Sequence, residues 1–173
     1  MSPSATPIRF LLSPSLGEVK EHVRAELFGR ALSQRLGRPV LVEIAASYEV
    51  LERELEQERV ELVWGTAEQC TQFGPRARAV LRAVRAGLGS YHSVLICRAA
   101  RPLTLQTLQG TRAAWVAPRS TGGYLLPTRY LASQALPPED TFREQRFLGT
   151  YRKALLAVLA GEADVAAIYS SHA

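Results

Sequence analysis

The chain has 173 residues, 47% of them hydrophobic, and a mean hydropathy of -0.03, which excludes a disordered polypeptide and leaves room for one ordinary domain or two small lobes. No apolar run approaches the ~18 residues of a membrane span, and the opening Met1-Ser2-Pro3-Ser4-Ala5-Thr6-Pro7 lacks the basic region and apolar core of a secretory signal. The formal charge of +5 is interleaved, as in Glu52-Arg53-Glu54, which argues against a nucleic-acid surface and suits a small anionic ligand.

In chain order, Ile8 to Ser13 reads as a short buried strand that turns through Pro14, Ser15 and Gly17 into a helix. That helix carries Val19, Val23, Leu27 and Ala31, and then Phe28, Leu32 and Leu36, at four-residue spacing, and Gly37 stops it. Val40 to Ala45 is the next strand, Tyr48 to Glu58 the next helix and Val60 to Gly65 a third strand, the alternation of parallel βαβ units. A short helix comes next, near Ala67 to Phe73. The apolar runs Ala79 to Ala86 and Tyr91 to Arg98 read as strands that cross from one lobe to another, with the boundary set at residue 95. The lobes expected are therefore residues 1–95 and 96–173, each of α/β construction.

The second half restarts the pattern. A turn with Leu105 and Leu108 leads to a strand ending near Ala117; further strands are expected at Phe142 to Leu148 and from Val165, with a helix from Arg152 to Ala160. A weak internal repeat sets Ser47-Tyr48 against Thr150-Tyr151 and Val60-Glu61-Leu62-Val63 against Ala163-Asp164-Val165-Ala166, so that in both halves a hydroxyl residue and a tyrosine open a helix. Helix starts of this kind lie at the carboxyl ends of strands, where open α/β sheets bind ligands.

The stretch with the most chemistry is Ala117-Pro118-Arg119-Ser120-Thr121-Gly122-Gly123-Tyr124-Leu125-Leu126-Pro127. A strand enters a Pro-marked turn and leaves through a hydroxyl pair and two glycines into a helix. Ser120 or Thr121 can cap it, the first-turn amides lack partners in the helix, and Gly122 and Gly123 give room for close approach. These features make an anion cradle, although ordinary helix starts use the same cap. No His, Cys or carboxylate spacing suggests a metal, a cofactor or a catalytic triad: His22 lies on a polar helix face, His92 beside Tyr91 and His172 near the end of the sequence. Cys70 and Cys97, without CxxC spacing, read as buried free thiols.

These residues resemble the type II periplasmic binding proteins, in particular the phosphate, phosphite and phosphonate branch of ABC transporter substrate-binding proteins. The resemblance rests on Leu36-Gly37-Arg38-Pro39-Val40, on Tyr48 with Leu51, on Tyr91-His92-Ser93-Val94-Leu95, on Leu108-Gln109-Gly110 and on Gly161-Glu162-Ala163-Asp164-Val165-Ala166. Its most specific part is Ser120-Thr121-Gly122-Gly123-Tyr124-Leu125-Leu126-Pro127, close to that family's STSGYLxP.

The resemblance implies a two-lobed α/β clamp with mixed, mostly parallel sheets that takes a small tetrahedral oxyanion, with Ser120, Thr121 and nearby amides as donors and Tyr48 and Tyr91 as cleft tyrosines. Thr150 and Tyr151 join the expected set, with Tyr151 standing where the family has a ligand-contacting His and Arg152 where it has an acid. The family's polypeptide also returns to complete its first lobe, so a homodimer or a partner chain covering that lobe is expected here. The leading reading is a binding module, cytoplasmic as the sequence is written and periplasmic if a signal has been trimmed. The alternatives are an enzyme on the same fold acting on a small carboxylate, with Tyr48, Tyr151, Glu162 or Asp164 as acid-base groups, or a non-binding assembly domain.

Overall fold

The computed structural model describes residues 6–14, 19–84 and 87–170, and they form two compact units, 1–78 and 79–173. The boundary of these units lies at residue 78, against residue 95 in the sequence reading. Among the described residues no helix is long and apolar enough to cross a membrane.

The first unit is a parallel three-stranded sheet in the order β2-β1-β3, from β1 (Ile8–Leu12), β2 (Val40–Ile44) and β3 (Leu62–Trp64). Helix α1 (Val19–Leu36) connects β1 to β2, and its buried stripe is narrow, with Ala25 and Gly29 against the sheet. A Cβ on Gly29 would lie 3.1 Å from the Val40 carbonyl oxygen and 3.2 Å from Val42, so small residues let the helix backbone approach β2. Ser33 joins the two: its hydroxyl donates to the Gly29 carbonyl and accepts from the Val40 amide. Gly37 ends the helix at φ +62°, a left-handed conformation that glycine adopts without a Cβ clash.

On the opposite face α2 (Tyr48–Glu56), capped by Ser47, places Leu51 with Leu11, Ala45, Leu55, Val60 and Val63 in the core. Helix α3 (Ala67–Phe73) comes after β3, its first turn closed by a capping box between Thr66 and Gln69. Gln69 is the buried residue of α3, and Cys70 beside it is exposed rather than buried. The box turns the amide inward and the thiol outward.

The second unit is a mixed four-stranded sheet in the order β4-β7-β5-β6. Strands β5 (Thr111–Trp115), β6 (Phe142–Phe147) and β7 (Val165–Ser170) are parallel, and β4 (His92–Cys97) runs antiparallel to β7. One face is covered by α4 (Leu126–Ser133), whose Leu131 packs with Leu108, Trp115, Phe142 and Val165. The other is covered by α6 (Tyr151–Leu159), where Ala154, Ala157 and Val158 meet Ala114, Ala163 and Ala166. The one-turn helix α5 (Pro138–Thr141) precedes β6.

Trp115 is fully buried, with Tyr124 and Phe142 edge-on at 5.6 and 5.5 Å and its indole N–H donated to Gln145. Asp164, at the start of β7, is also buried and accepts from the Arg112 amide, the Arg112 guanidinium and Arg101. Cys97 is half-buried, and its sulfur accepts the Leu103 amide. Residues 79–84 were expected to be a crossing strand but are neither strand nor helix, with Val80, Leu81 and Val84 exposed. Apolar composition favours extended backbone, but a strand also requires a ladder partner. Residues 85 and 86 of that expected strand, and His172, lie outside the described residues.

Candidate functional site in the second unit

The site grows from the carboxyl end of β5. Beyond Trp115 the chain turns at Ala117-Pro118-Arg119, closed by the Ser120 amide donating to the Ala117 carbonyl at 3.0 Å. Ser120 has extended backbone and is the N-cap: its hydroxyl oxygen accepts from the Gly123 amide at 3.2 Å. From this cap a π-helical turn, Thr121–Leu125, runs directly into α4. Its wide rungs are Leu125 N to Ser120 O at 3.0 Å and Leu126 N to Thr121 O.

The cap uses one of the first amides. Those of Thr121, Gly122 and Tyr124 have no acceptor within the helix, and the dipole favours negative charge there. Thr121 adds a more pointed observation: its residue is 8% exposed, yet its hydroxyl oxygen is buried without a hydrogen-bond partner. Such a group costs about 1–3 kcal/mol unless something completes it.

The two glycines have different reasons. A Cβ on Gly123 would lie 2.4 Å from Val116 Cγ2 and 2.8 Å from Ser120 Oγ, so only glycine lets the turn pack on the end of β5. A Cβ on Gly122 would meet Tyr151 Oη at 3.0 Å, Tyr91 Cε2 at 3.2 Å and Tyr169 Cβ at 3.8 Å. The expected room at both glycines is thus taken by the protein's own atoms, and the Gly122 face is walled by three tyrosines.

Sheet register brings those rings together. Tyr91 precedes β4, and β4 pairs antiparallel with β7 so that His92 faces Ser170 and Ser93 faces Tyr169. The start of β4 therefore lies beside the end of β7. Tyr169 meets Tyr91 edge-on at 6.3 Å and Tyr151 at 5.2 Å. Tyr151 arrives from β6, whose end is tied to that of β5 by Leu148 N to Trp115 O and Gly149 N to Val116 O. Gly149, at φ +84°, turns the chain, and Thr150 caps α6 by accepting from the Lys153 amide. Two helix starts and three tyrosines thus share the carboxyl end of the parallel strands.

Of the residues singled out in the sequence, Ser120, Thr121, Gly122, Gly123, Tyr91, Thr150 and Tyr151 all lie at this end of the second unit. Tyr48 is in the first unit, buried at the first position of α2. Arg152 is exposed on α6. Sequence reasoning missed Tyr169 and Ser93, whose hydroxyl donates to the Gly122 carbonyl at 2.6 Å. Their signal was available only as a register: two antiparallel strands with hydroxyl-bearing residues at adjoining ends.

Of the acid-base candidates, Tyr151 lies at the site and Tyr48 in the first unit, while the two carboxylates are engaged in ion pairs. Glu162 is an exposed partner of Arg146. The Asp164 carboxyl is held at about 2, chiefly by hydrogen bonds from Arg112 and with Arg101 adding to the effect, and burial opposes this incompletely. Among the described residues, no group of three or more His, Cys, Asp or Glu side chains could hold a metal ion.

Residues 10–173 match the family model described as the periplasmic phosphonate substrate-binding protein of ABC transporters. Among solved structures, a binding-protein component of a phosphonate ABC transporter from Pseudomonas aeruginosa is 22% identical, with a TM-score of 0.78 over 95% of this chain and 57% of its own. PhnD1 from Prochlorococcus marinus, solved with methylphosphonate, is 19% identical, with a TM-score of 0.81 over 93% of this chain and 62% of its own. A chloride-bound protein from Xanthomonas citri is 21% identical, with a TM-score of 0.73 over 95% of this chain and 66% of its own. The chain thus spans less than two thirds of each of these proteins. No curated protein matches the sequence significantly.

Proposed function

Since the chain belongs to the family of periplasmic phosphonate substrate-binding proteins of ABC transporters, we propose that it binds a small phosphonate-like oxyanion as a solute-binding or sensor module. The observation that carries the proposal is the buried, unpartnered Thr121 hydroxyl at a helix start whose amides of Thr121, Gly122 and Tyr124 have no acceptor in the helix. Neutral donors in a fixed array neutralise an oxyanion through charge-assisted hydrogen bonds without a formal counter-charge. In this reading Ser120, Thr121 and the amides of Thr121, Gly122 and Tyr124 bind the oxygens, while the Gly123 amide, one of the donors expected from the motif, holds the Ser120 hydroxyl in place. Tyr91 and Tyr151 flank the ligand with Thr150. The methylphosphonate bound by the Prochlorococcus relative sets the first ligand to try. A binding module is favoured over an enzyme because Asp164 and Glu162 are engaged in ion pairs. The periplasm, named in the family's description, is the proposed location.

A thermal-shift and calorimetric screen of methylphosphonate, phosphite, phosphate and small dicarboxylates tests this. A melting temperature raised by a phosphorus oxyanion and not by dicarboxylates is expected, and no response to any of them would overturn the reading. We also propose that a second copy or a partner chain covers the first unit. Its support is Val23 and Leu27 on α1, opposite the buried Ala25–Gly29 stripe, together with Leu62 and Trp64 on β3, all 40–58% exposed. Light scattering that finds a well-folded monomer at micromolar concentration counts against it.

A further inference from the structure

We propose that Ser93 is the positioning residue of the cradle: its hydroxyl gives the Gly122 carbonyl the donor that Pro127 removes. For its binding consequence this rests on the oxyanion reading above; its geometry stands independently.

The π-helical turn has rungs from Leu125 to Ser120 and from Leu126 to Thr121. The next rung in that register would run from residue 127 to the Gly122 carbonyl, but Pro127 has no N–H. The α-helical alternative, Leu126, is already given to Thr121. Gly122 is a buried residue, so its carbonyl would be left with no donor from its own helix. Ser93, from β4, donates to it at 2.6 Å. The same proline deprives the Gly123 carbonyl of its α-helical donor, and the Val116 amide at the end of β5 takes that place at 3.2 Å. One proline therefore releases two consecutive carbonyls, and two strands of the sheet hold them.

The consequence comes from the planarity of the peptide bond. The Gly122 carbonyl lies in one plane with the Gly123 N–H, so fixing the first fixes the second. The Gly123 N–H occupies an acceptor site on the Ser120 hydroxyl, which leaves that hydroxyl's own proton for another acceptor. The Gly123 carbonyl, held by Val116, likewise fixes the N–H of Tyr124, one of the amides with no acceptor in the helix. Ser93 touches no ligand in this scheme. It acts through one peptide plane on Ser120 and keeps the wide turn from relaxing.

The test uses the full chain with Ser93→Ala, Ser93→Thr and Ser93→Cys. Three quantities are measured: methylphosphonate affinity, melting temperature, and amide hydrogen exchange at Gly123, Leu125 and Leu126, with Ala114 and Ala166 in the sheet as references. Ser93→Ala is expected to bind methylphosphonate about tenfold more weakly and to exchange those three amides about tenfold faster, with the sheet references unchanged. Ser93→Thr, which keeps the hydroxyl, restores both, and Ser93→Cys, a weaker donor, falls between and serves if Ser93→Ala does not fold. Unchanged exchange at Gly123, Leu125 and Leu126, or acceleration that is equal in the sheet, overturns the inference. Loss of melting temperature with affinity intact overturns it as well, because that is the signature of a purely structural contact. If the unmodified protein takes no methylphosphonate, the oxyanion reading falls and the exchange pattern alone decides Ser93.

Discussion

Replacing Thr121 by valine separates binding from stability, because the two should move in opposite directions. Thr121 is buried, and its hydroxyl oxygen has no partner in the protein. Valine has nearly the same shape and the same β-branched stiffness, so the change exchanges a hydroxyl for a methyl with little repacking. In the unliganded protein it removes a desolvated, unsatisfied group, which should stabilise the fold by about 1 kcal/mol and raise the second unit's melting temperature by roughly 4–8 °C. In the complex it removes a hydrogen bond to a charged ligand, worth about 1.5–3 kcal/mol, and affinity should fall roughly 10- to 150-fold. Differential scanning calorimetry without ligand and titration calorimetry with methylphosphonate measure the two arms. A variant that melts lower and binds as tightly as the original protein would show that the hydroxyl has a structural partner and no ligand, and would refute the reasoning.

The two glycines give a second contrast. Gly123→Ala forces a Cβ to within 2.4 Å of Val116 and should destabilise the second unit by about 1–3 kcal/mol despite alanine's better helix propensity. Gly122→Ala meets mainly the end of the Tyr151 side chain, so it should cost little in thermal unfolding while weakening oxyanion binding. Equal melting-temperature losses would contradict this assignment. Asp164 gives the pH prediction: its carboxyl is held near 2 by Arg112 in the folded state, against an ordinary value of 3.8. Its contribution is therefore complete above about pH 4 and is lost as pH falls toward 2, since the unfolded chain takes up the proton first. Asp164→Asn should lose about 2–3 kcal/mol at pH 7 and show a flatter stability profile between pH 4 and 2; parallel profiles would count against the assignment.

How much of this was legible in the sequence depends on how local the cause is. The βαβ start of the first unit, the stop at Gly37 and the caps at Ser47, Ser120 and Thr150 were readable because each is decided within a few residues. The run 79–84 differs from its expected strand because apolar composition gives only a tendency to extend, whereas a ladder is a property of two segments. Cys70 was misplaced for a related reason. On a helix of seven residues, hydrophobicity is a weak guide to the inward face, and the Thr66–Gln69 box decided it.

The candidate site divides along the same line. Its hydroxyls and glycines were visible as a motif, but the motif alone does not say that Gly123 answers to Val116 and Gly122 to three tyrosines. Tyr169 and Ser93 enter through the antiparallel pairing of β4 with β7, which joins residues some 76 positions apart at Ser93 and Tyr169 and leaves no trace in either segment alone. The π-helical turn is intermediate. Pro127 was in view throughout, and its missing amide at the fifth position after Gly122 shows that a regular helical ladder cannot continue through the cradle. A proline in the second turn of a capped helix, beyond the first-turn amides that lack acceptors anyway, thus predicts that some carbonyl must seek a donor outside it, and the sheet determines which residue answers.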